Sequence, residues 1–542
     1  MEGLIYPHPS LASPWAPEVD PDLALLMAWT EDPVPPVIWS VAGTDSGGGA
    51  GLSADTRAAA AMGVHLCPVV AAVTAQHSQG VQAVFPLPAD QLRAQLTALR
   101  QDMPARVIKT GLLASAPAID ALLAQRGDAA LVVDPVLGAT AGGAAFCDDA
   151  LLSAYRHQLI PQAALLTPNR REAERLLGVA AGQQSVPELA RGLRQLGAQA
   201  VCITGGDEPS TDAALALDWL DSPLASGWLA LPRLTATPDR PLHHHGSGCT
   251  FATAAAAALA RGFAVPDAVV LAKMLTWAAL RDGHAAGAGA GPLRPSAGFV
   301  DDPTAMPVMG FEDETSPDAT TLARWERALT QPDRRRFEPG LYAIADQPSR
   351  VAALAASGRF AHVQLRIKRA EDTSDADLTA AIRETVTATA GDVGRGTTLW
   401  INDHWRLAVD AGAQALHLGQ EDWGALTAQE REELLQLRRH RRLGLGLSSH
   451  SLWELCRARG LTPSYIACGP VWPTTTKRMP WLPQGLAQLR WWARMAGYPV
   501  VAIGGILSDR QVADARGTGV AAVCLVRAAE QWIAPPSEPP TS

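Results

Sequence analysis

Between Gly340 and Arg527 eight apolar runs recur: GLYAIAD, HVQLRI, TLWIND, ALHLGQ, RLGLGLS, YIACGPV, PVVAIGG and AAVCLVR. Each of the first seven is followed by a segment of helical pattern. Eight strand–helix units in roughly 200 residues are the signature of a (β/α)8 barrel, which builds its active site from the carboxyl ends of its strands. An open sheet is the competing arrangement. The polar residues decide between them: Gln364, Arg366 and Lys368 end the second run, Asn402 and Asp403 the third, and Asp422 follows the fourth. Ser448 ends the fifth, Thr474 to Lys477 follow the sixth, Gly504 and Gly505 end the seventh, and Arg527 ends the eighth. Scattered surface polarity has no reason to select the same end of every strand.

The tips suggest a chemistry. Alternation in QLRIK turns Gln364, Arg366 and Lys368 to one side. There Arg366 supplies a planar fork for phosphate oxygens and Lys368 a point charge. Taken singly, Asp403 reads as a helix N-cap and Asp422 as a loop residue. Paired on adjacent tips they favour Mg²⁺, a hard cation that takes carboxylate and phosphate oxygens. Thr474, Thr475, Thr476 and Lys477 add hydroxyls and an ammonium, and Gly504-Gly505 lets backbone N–H groups approach an anion.

QLRIK, INDHWRLA, HLGQED, GLSSH, GPVWPTTTK and AIGGI together resemble thiamine phosphate synthase, over residues 340 to about 530. The resemblance implies that an aminopyrimidine methyl diphosphate loses diphosphate and a thiazole phosphate nitrogen captures the cation. It also implies roles: Gln364, Arg366, Lys368, Asn402, Ser448 and Lys477 on the pyrimidine diphosphate, with Ser448 and Lys477 in the catalytic set, and Asp403 and Asp422 on Mg²⁺. Thr474 to Thr476 and Gly505 would hold the thiazole phosphate, beside Val526 and Arg527. The family usually has Ser after Val at the eighth strand, where this chain has Arg527, so the phosphate grip differs there. The related thiazole tautomerase keeps the barrel without this reaction; Lys368, Asp403, Asp422 and Lys477 argue against that reading.

The first half has a different organisation. From Val37 it reads strand, glycine loop, helix (VIWSVAG, TDSGGGAG, LSADTRAAAAMG), then further strand-like runs at HLCPVVAAVTAQ, RVIKTG, ALVVDPV, ALLTPN and AVCITGG with helical patterns between them. That alternation predicts a doubly wound, mostly parallel α/β sheet. Gly246, Ser247 and Gly248 precede an alanine-rich helix, so backbone N–H groups there form an anion hole. A helix end favours thiolate at Cys249, which then accepts a hydroxyl proton; a structural cysteine is the equal alternative. Adjacent His243, His244 and His245 cannot all face one ion, so zinc is not expected.

AGTDSGGGAG, TAQHSQGV, VVDPV, LLTPNRREA and GSGCT resemble the hydroxymethylpyrimidine (phosphate) kinases of the ribokinase-like superfamily, over residues 37 to 283. The resemblance implies ATP-dependent phosphorylation, with Gly43, Asp55 and Gln76 on the pyrimidine, Cys249 as base, and Asp134 and Asn169 near Mg·ATP. Thr204 stands where the family usually carries Lys, and Leu137 where Met is common. The product of the first implied reaction is the substrate of the second, so the expectation is a bifunctional thiamine-biosynthesis transferase. A pyrimidine kinase with a non-catalytic or tautomerase-like barrel is the alternative.

Composition limits the partners. The formal charge is −9, which argues against a nucleic-acid surface, and small-molecule phosphates are expected instead. The seven cysteines are scattered without a Cys-x-x-Cys, against a disulfide scaffold. No Lys or Arg precedes Arg57 and no apolar run spans a bilayer, so no membrane association and a cytoplasmic location are expected. Residues 1–35 read as an appendage, 36–290 as the kinase-like domain, 291–338 as a linker and 339–535 as the barrel. Homo-oligomerisation is left open.

Overall fold

The computed structural model describes residues 34–138, 147–206, 214–237, 241–311, 316–330, 337–369, 373–393, 396–441, 443–473 and 483–533. The chain divides into two compact units, one ending at Leu329 and the other beginning at Thr330.

The first unit is a nine-stranded sheet: β1 (Val37–Gly43), β2 (His65–His77), β3 (Gly80–Pro86), β4 (Val107–Thr110), β5 (Ala130–Val133), β6 (Ala163–Leu166), β7 (Val201–Ile203), β8 (Leu215–Asp221) and β9 (Ser226–Pro232). Their order is β3-β2-β1-β4-β5-β6-β7-β8-β9. The six runs read from the sequence form the parallel centre. The edges are antiparallel: β3 folds back on β2, and β8 and β9 extend the far side. Central strands such as VIWSVAG and ALVV are apolar on both faces because helices cover both.

One covering helix, Ser247–Ala260, is so rich in alanine that it lies close against β1, β4 and β5. Its first turn is thereby set over Lys109, which has no exposed surface although it sits mid-strand in β4.

Of the stretch read as a linker, residues 291–311 and 316–329 are instead part of the first unit. Val308 pairs with Ala230 of β9, and Phe299, Met306, Val308 and Phe311 are buried. Helix Ala319–Thr330 places Trp325 and Ala328 in the same core. The glycine- and proline-rich residues 291–311 carry no period because they pack as irregular coil and short turns.

The second unit is a closed parallel barrel of β10 (Gly340–Ala345), β11 (His362–Leu365), β12 (Thr398–Asn402), β13 (Ala415–Leu418), β14 (Gly444–Ser449), β15 (Tyr465–Cys468), β16 (Val500–Ala502) and β17 (Ala522–Leu525). All eight apolar runs became strands, in sequence order. Tyr342, Trp400 and Tyr465 belong to the cluster that fills the lumen, with Phe337 packed among them. A Cβ at Gly446 would overlap the Tyr465 ring, so the glycine makes room for a tyrosine on the neighbouring strand.

Candidate active sites

In the first unit two glycine-rich segments meet backbone to backbone. Gly246 caps helix Ser247–Ala260 at φ 89°, and a Cβ there would strike the carbonyl of Gly49. The hub of this meeting is Asp45. Its carboxylate accepts N–H bonds from Gly47, Gly49 and Ala50 at 2.8–2.9 Å and lies 3.0 Å from His245 Nε2. Burial alone would raise the Asp45 pKa, but His245 and the backbone donors outweigh it and bring it to about 2. Gln76 joins through its amide, 3.1 Å from His245 Nε2.

Beneath this loop lies a buried ion cluster. Lys109 Nζ is 3.0 Å from Asp55 Oδ1 and 3.6 Å from Asp134 Oδ2. Asp55 also accepts from Ser40 Oγ at 2.6 Å and Thr253 Oγ1 at 2.7 Å. Burial pulls the Lys109 ammonium down, yet Asp55 and Asp134 hold it above its ordinary range. Asp134 is pushed up to about 6 by burial, against the pull of Lys109. Asp55 and Asp134, both singled out from the sequence, are thus joined by a lysine that was not. Its signal was visible: an ammonium in the middle of an apolar strand is buried only with partners.

Two expectations change here. Cys249 retains some exposed surface but is closely surrounded, and burial pushes its thiol up to about 12 despite Lys109 and a backbone bond with Gly51. The chain therefore holds the thiol, not the thiolate expected from the helix end alone. Asn169 is committed as the N-cap of helix Arg170–Leu177, its Oδ1 accepting from Glu172 N at 2.9 Å. Gly43 ends β1, with its carbonyl where a Cβ on Gly51 would fall.

In the barrel Asp403 and Asp422 lie close enough to act on each other, and burial followed by the Asp422 charge pushes Asp403 up to about 7. Asp403 is no helix cap: it adopts φ 62°, rare for a residue with a side chain, and donates its N–H to His417 O at 3.0 Å. One Asp422 oxygen accepts from Gly419 N at 2.9 Å. Two neighbouring carboxylates of which one is raised by burial and by its partner's charge form a site that a divalent cation would satisfy. Among the described residues no group of three or more His, Cys, Asp or Glu is suited to a metal, so substrate oxygens would have to complete this one.

Arg366 lies close enough to lower the Asp403 and His417 pKa values. Lys368 is exposed in the loop after β11. Gln364 Nε2 donates to Asn402 Oδ1 at 2.7 Å. Ser448 Oγ is 2.9 Å from His417 Nε2, and burial with the nearby Arg366 charge brings that imidazole down to about 4, so it is neutral. His417, Tyr342 and Tyr465 went unremarked in the sequence; their inward parity on strands was the available signal.

Gly504 and Gly505 both have positive φ, and a Cβ on either would strike Pro470 or Trp472. Their glycine character follows from this contact with the loop after β15, whatever anion they meet. Val526 packs partly buried against the lumen cluster, and Arg527 is exposed beyond β17. Thr474, Thr475, Thr476 and Lys477 lie outside the described residues.

An α/β unit with a glycine-lined helix end over a buried lysine–carboxylate cluster, joined to a barrel with paired carboxylates beside an arginine, defines a transferase with two phosphate-handling sites. The profile of the family described as phosphomethylpyrimidine kinase matches residues 45–294, and that of thiamine monophosphate synthase matches residues 341–529. The rice protein named "Probable thiamine biosynthetic bifunctional enzyme, chloroplastic" is 32% identical over 481 residues, 87% of this chain and 81% of its own. An Arabidopsis thaliana thiamine biosynthetic bifunctional enzyme, also chloroplastic, is 30% identical over 87% of this chain and 85% of its own. A Streptomyces coelicolor hydroxymethylpyrimidine/phosphomethylpyrimidine kinase is 38% identical over 49% of this chain and 97% of its own. The chain belongs to the family of bifunctional thiamine biosynthetic enzymes, with a phosphomethylpyrimidine kinase and a thiamine phosphate synthase barrel in one polypeptide.

The expected cytoplasmic location is withdrawn. Both bifunctional plant relatives are described as chloroplastic, and a lack of basic residues before Arg57 does not fix a compartment. Among the described residues no helix is long and apolar enough to cross a membrane.

Proposed function

We propose that each unit holds one complete site and that the two act in sequence on the pyrimidine. In the first, Gly43, Asp55 and Gln76 bind the hydroxymethyl pyrimidine or its monophosphate, and the N–H groups of Gly246 to Gly248 receive the transferring phosphoryl group of ATP. Cys249 takes the hydroxyl proton. Because its thiol is pushed up to about 12, proton removal is coupled to phosphoryl transfer rather than completed beforehand. Lys109 orients Asp55, and Asp134 would face Mg·ATP. Asn169, committed to its cap, contributes position rather than a ligand.

In the barrel Asp403 and Asp422 would hold Mg²⁺, whose chemistry when bound would be to offset the charge of the diphosphate leaving group. Arg366, Lys368 and Lys477 bind diphosphate oxygens, and Asn402, Gln364 and Ser448 seat the pyrimidine ring. Thr474 to Thr476 and Gly505 hold the thiazole phosphate beside Val526 and Arg527. Carbon–oxygen cleavage releases diphosphate with its electron pair, and the thiazole nitrogen supplies the pair for the new carbon–nitrogen bond. Small-molecule phosphates are the only partners this reading requires.

The placing of Asp403 and Asp422 together at the ends of neighbouring strands, beside Arg366, supports the barrel assignment. The test separates the sites. Asp403→Ala should abolish thiamine phosphate formation from supplied pyrimidine diphosphate and spare pyrimidine phosphorylation, whereas Cys249→Ala should do the reverse. Loss of both activities in either variant refutes two independent sites.

A further inference from the structure

Six consecutive barrel strands, β10 to β15, each contribute one polar side chain to a single hydrogen-bonded chain through the lumen. From Asn402 it runs to Gln364 (2.7 Å), Tyr342 (2.6 Å) and Tyr465 (2.8 Å), then to His417 (2.7 Å) and Ser448 (2.9 Å). Tyr342, Gln364 and Tyr465 have essentially no exposed surface, and His417 and Asn402 are buried. Such a chain has two self-consistent proton arrangements, one the reverse of the other.

The Gln364 amide sets the direction: its Nε2 donates to Asn402 Oδ1, and its Oε1 accepts the Tyr342 hydroxyl proton. With its proton spent there, Tyr342 accepts from Tyr465, and Tyr465 in turn accepts from Nδ1–H of His417. The neutral ring has no second proton, so Nε2 accepts from Ser448 Oγ–H.

We propose that Tyr342, Tyr465 and His417 are positioning residues that hold this one polarity across the barrel, presenting N–H donors at Gln364 and Asn402 and lone pairs at Ser448. The pattern suits a 4-aminopyrimidine edge, where a ring nitrogen accepts beside an amino group that donates. None of the three need touch substrate. The inference rests on the barrel's assigned reaction for its ligand, but the chain of protons exists without one.

The test uses the full-length protein with ¹⁵N-labelled histidine, the His417 signals being assigned by their loss in His417→Gln. In the unliganded wild type the proton should sit on Nδ1 with Nε2 bare, and Tyr465→Phe should abolish that preference. The same variant should raise KM for the pyrimidine diphosphate about tenfold, the scale of one lost orienting hydrogen bond, while KM for the thiazole phosphate and the kinase rates stay unchanged. A wild-type proton on Nε2 overturns the proposal, and so does a Tyr465→Phe enzyme in which both barrel substrates weaken alike. The NMR measurement needs no turnover, so its failure is distinct from failure of the assigned reaction.

Discussion

Replacing Lys109 with methionine keeps the length of the side chain and removes its charge, leaving Asp55 and Asp134 facing each other without the ammonium 3.0 and 3.6 Å away. Removing one partner of a buried ion pair costs about 3–5 kcal/mol, because the remaining charge loses its compensation while staying desolvated. Lys109 has no exposed side-chain surface and Asp134 only 7%, so solvent offers little relief. The cost should depend on pH. Asp134 already sits at about 6 through burial, above the ~3.9 of an unfolded aspartate, and without Lys109 it climbs further. A carboxyl raised in the fold contributes stability below its unfolded pKa and loses it as pH climbs through the folded value. The deficit of Lys109→Met should therefore be greatest near pH 8 and shrink on acidification, by at most about 1.4 kcal/mol per pH unit for each proton taken up. Urea titrations between pH 5.5 and 8 measure it, with the first unit's transition assigned by its shift on adding ADP. Pyrimidine phosphorylation should fall with the cluster, while thiamine phosphate formation from supplied diphosphate serves as an internal control for the barrel. A deficit below about 1 kcal/mol at pH 8, or one that does not lessen towards pH 5.5, would refute the argument, since an uncompensated buried charge costs more than that.

Two further predictions concern the sites directly. If Cys249 is the base, its high thiol pKa makes log kcat/KM of the kinase rise with pH at about unit slope between pH 7 and 9; a flat profile in that range excludes it. Gly446→Ala forces a methyl group into the Tyr465 ring, which Tyr342 and His417 hold in place. Overpacking of this kind costs about 1–3 kcal/mol, so the barrel should unfold at lower urea and bind pyrimidine diphosphate more weakly; unchanged values would mean the ring moves freely.

The expectations that came through depended on local pattern. Eight apolar runs with polar carboxyl ends became a closed barrel because a parallel strand buried on both faces leaves function only its tips. Asp403 and Asp422 met because the third and fourth strands are neighbours in that order. Glycine-rich segments at 43–51 and 246–248 were legible because only glycine permits the backbone approach between them. Residues 291–311 misled because loose composition does not report what a segment packs against.

What the order of residues alone determined was the periodicity of the strands, their sequence in the barrel and the chemical types at their ends. It could not place Lys109 between Asp55 and Asp134, 54 and 25 positions away, or join Tyr342 to Tyr465 across 123 residues. Nor could it show that burial around Cys249 outweighs the pull of a helix end. Those are properties of distance and dielectric in three dimensions, which arise only once strands far apart in the chain lie side by side and water has been excluded between them.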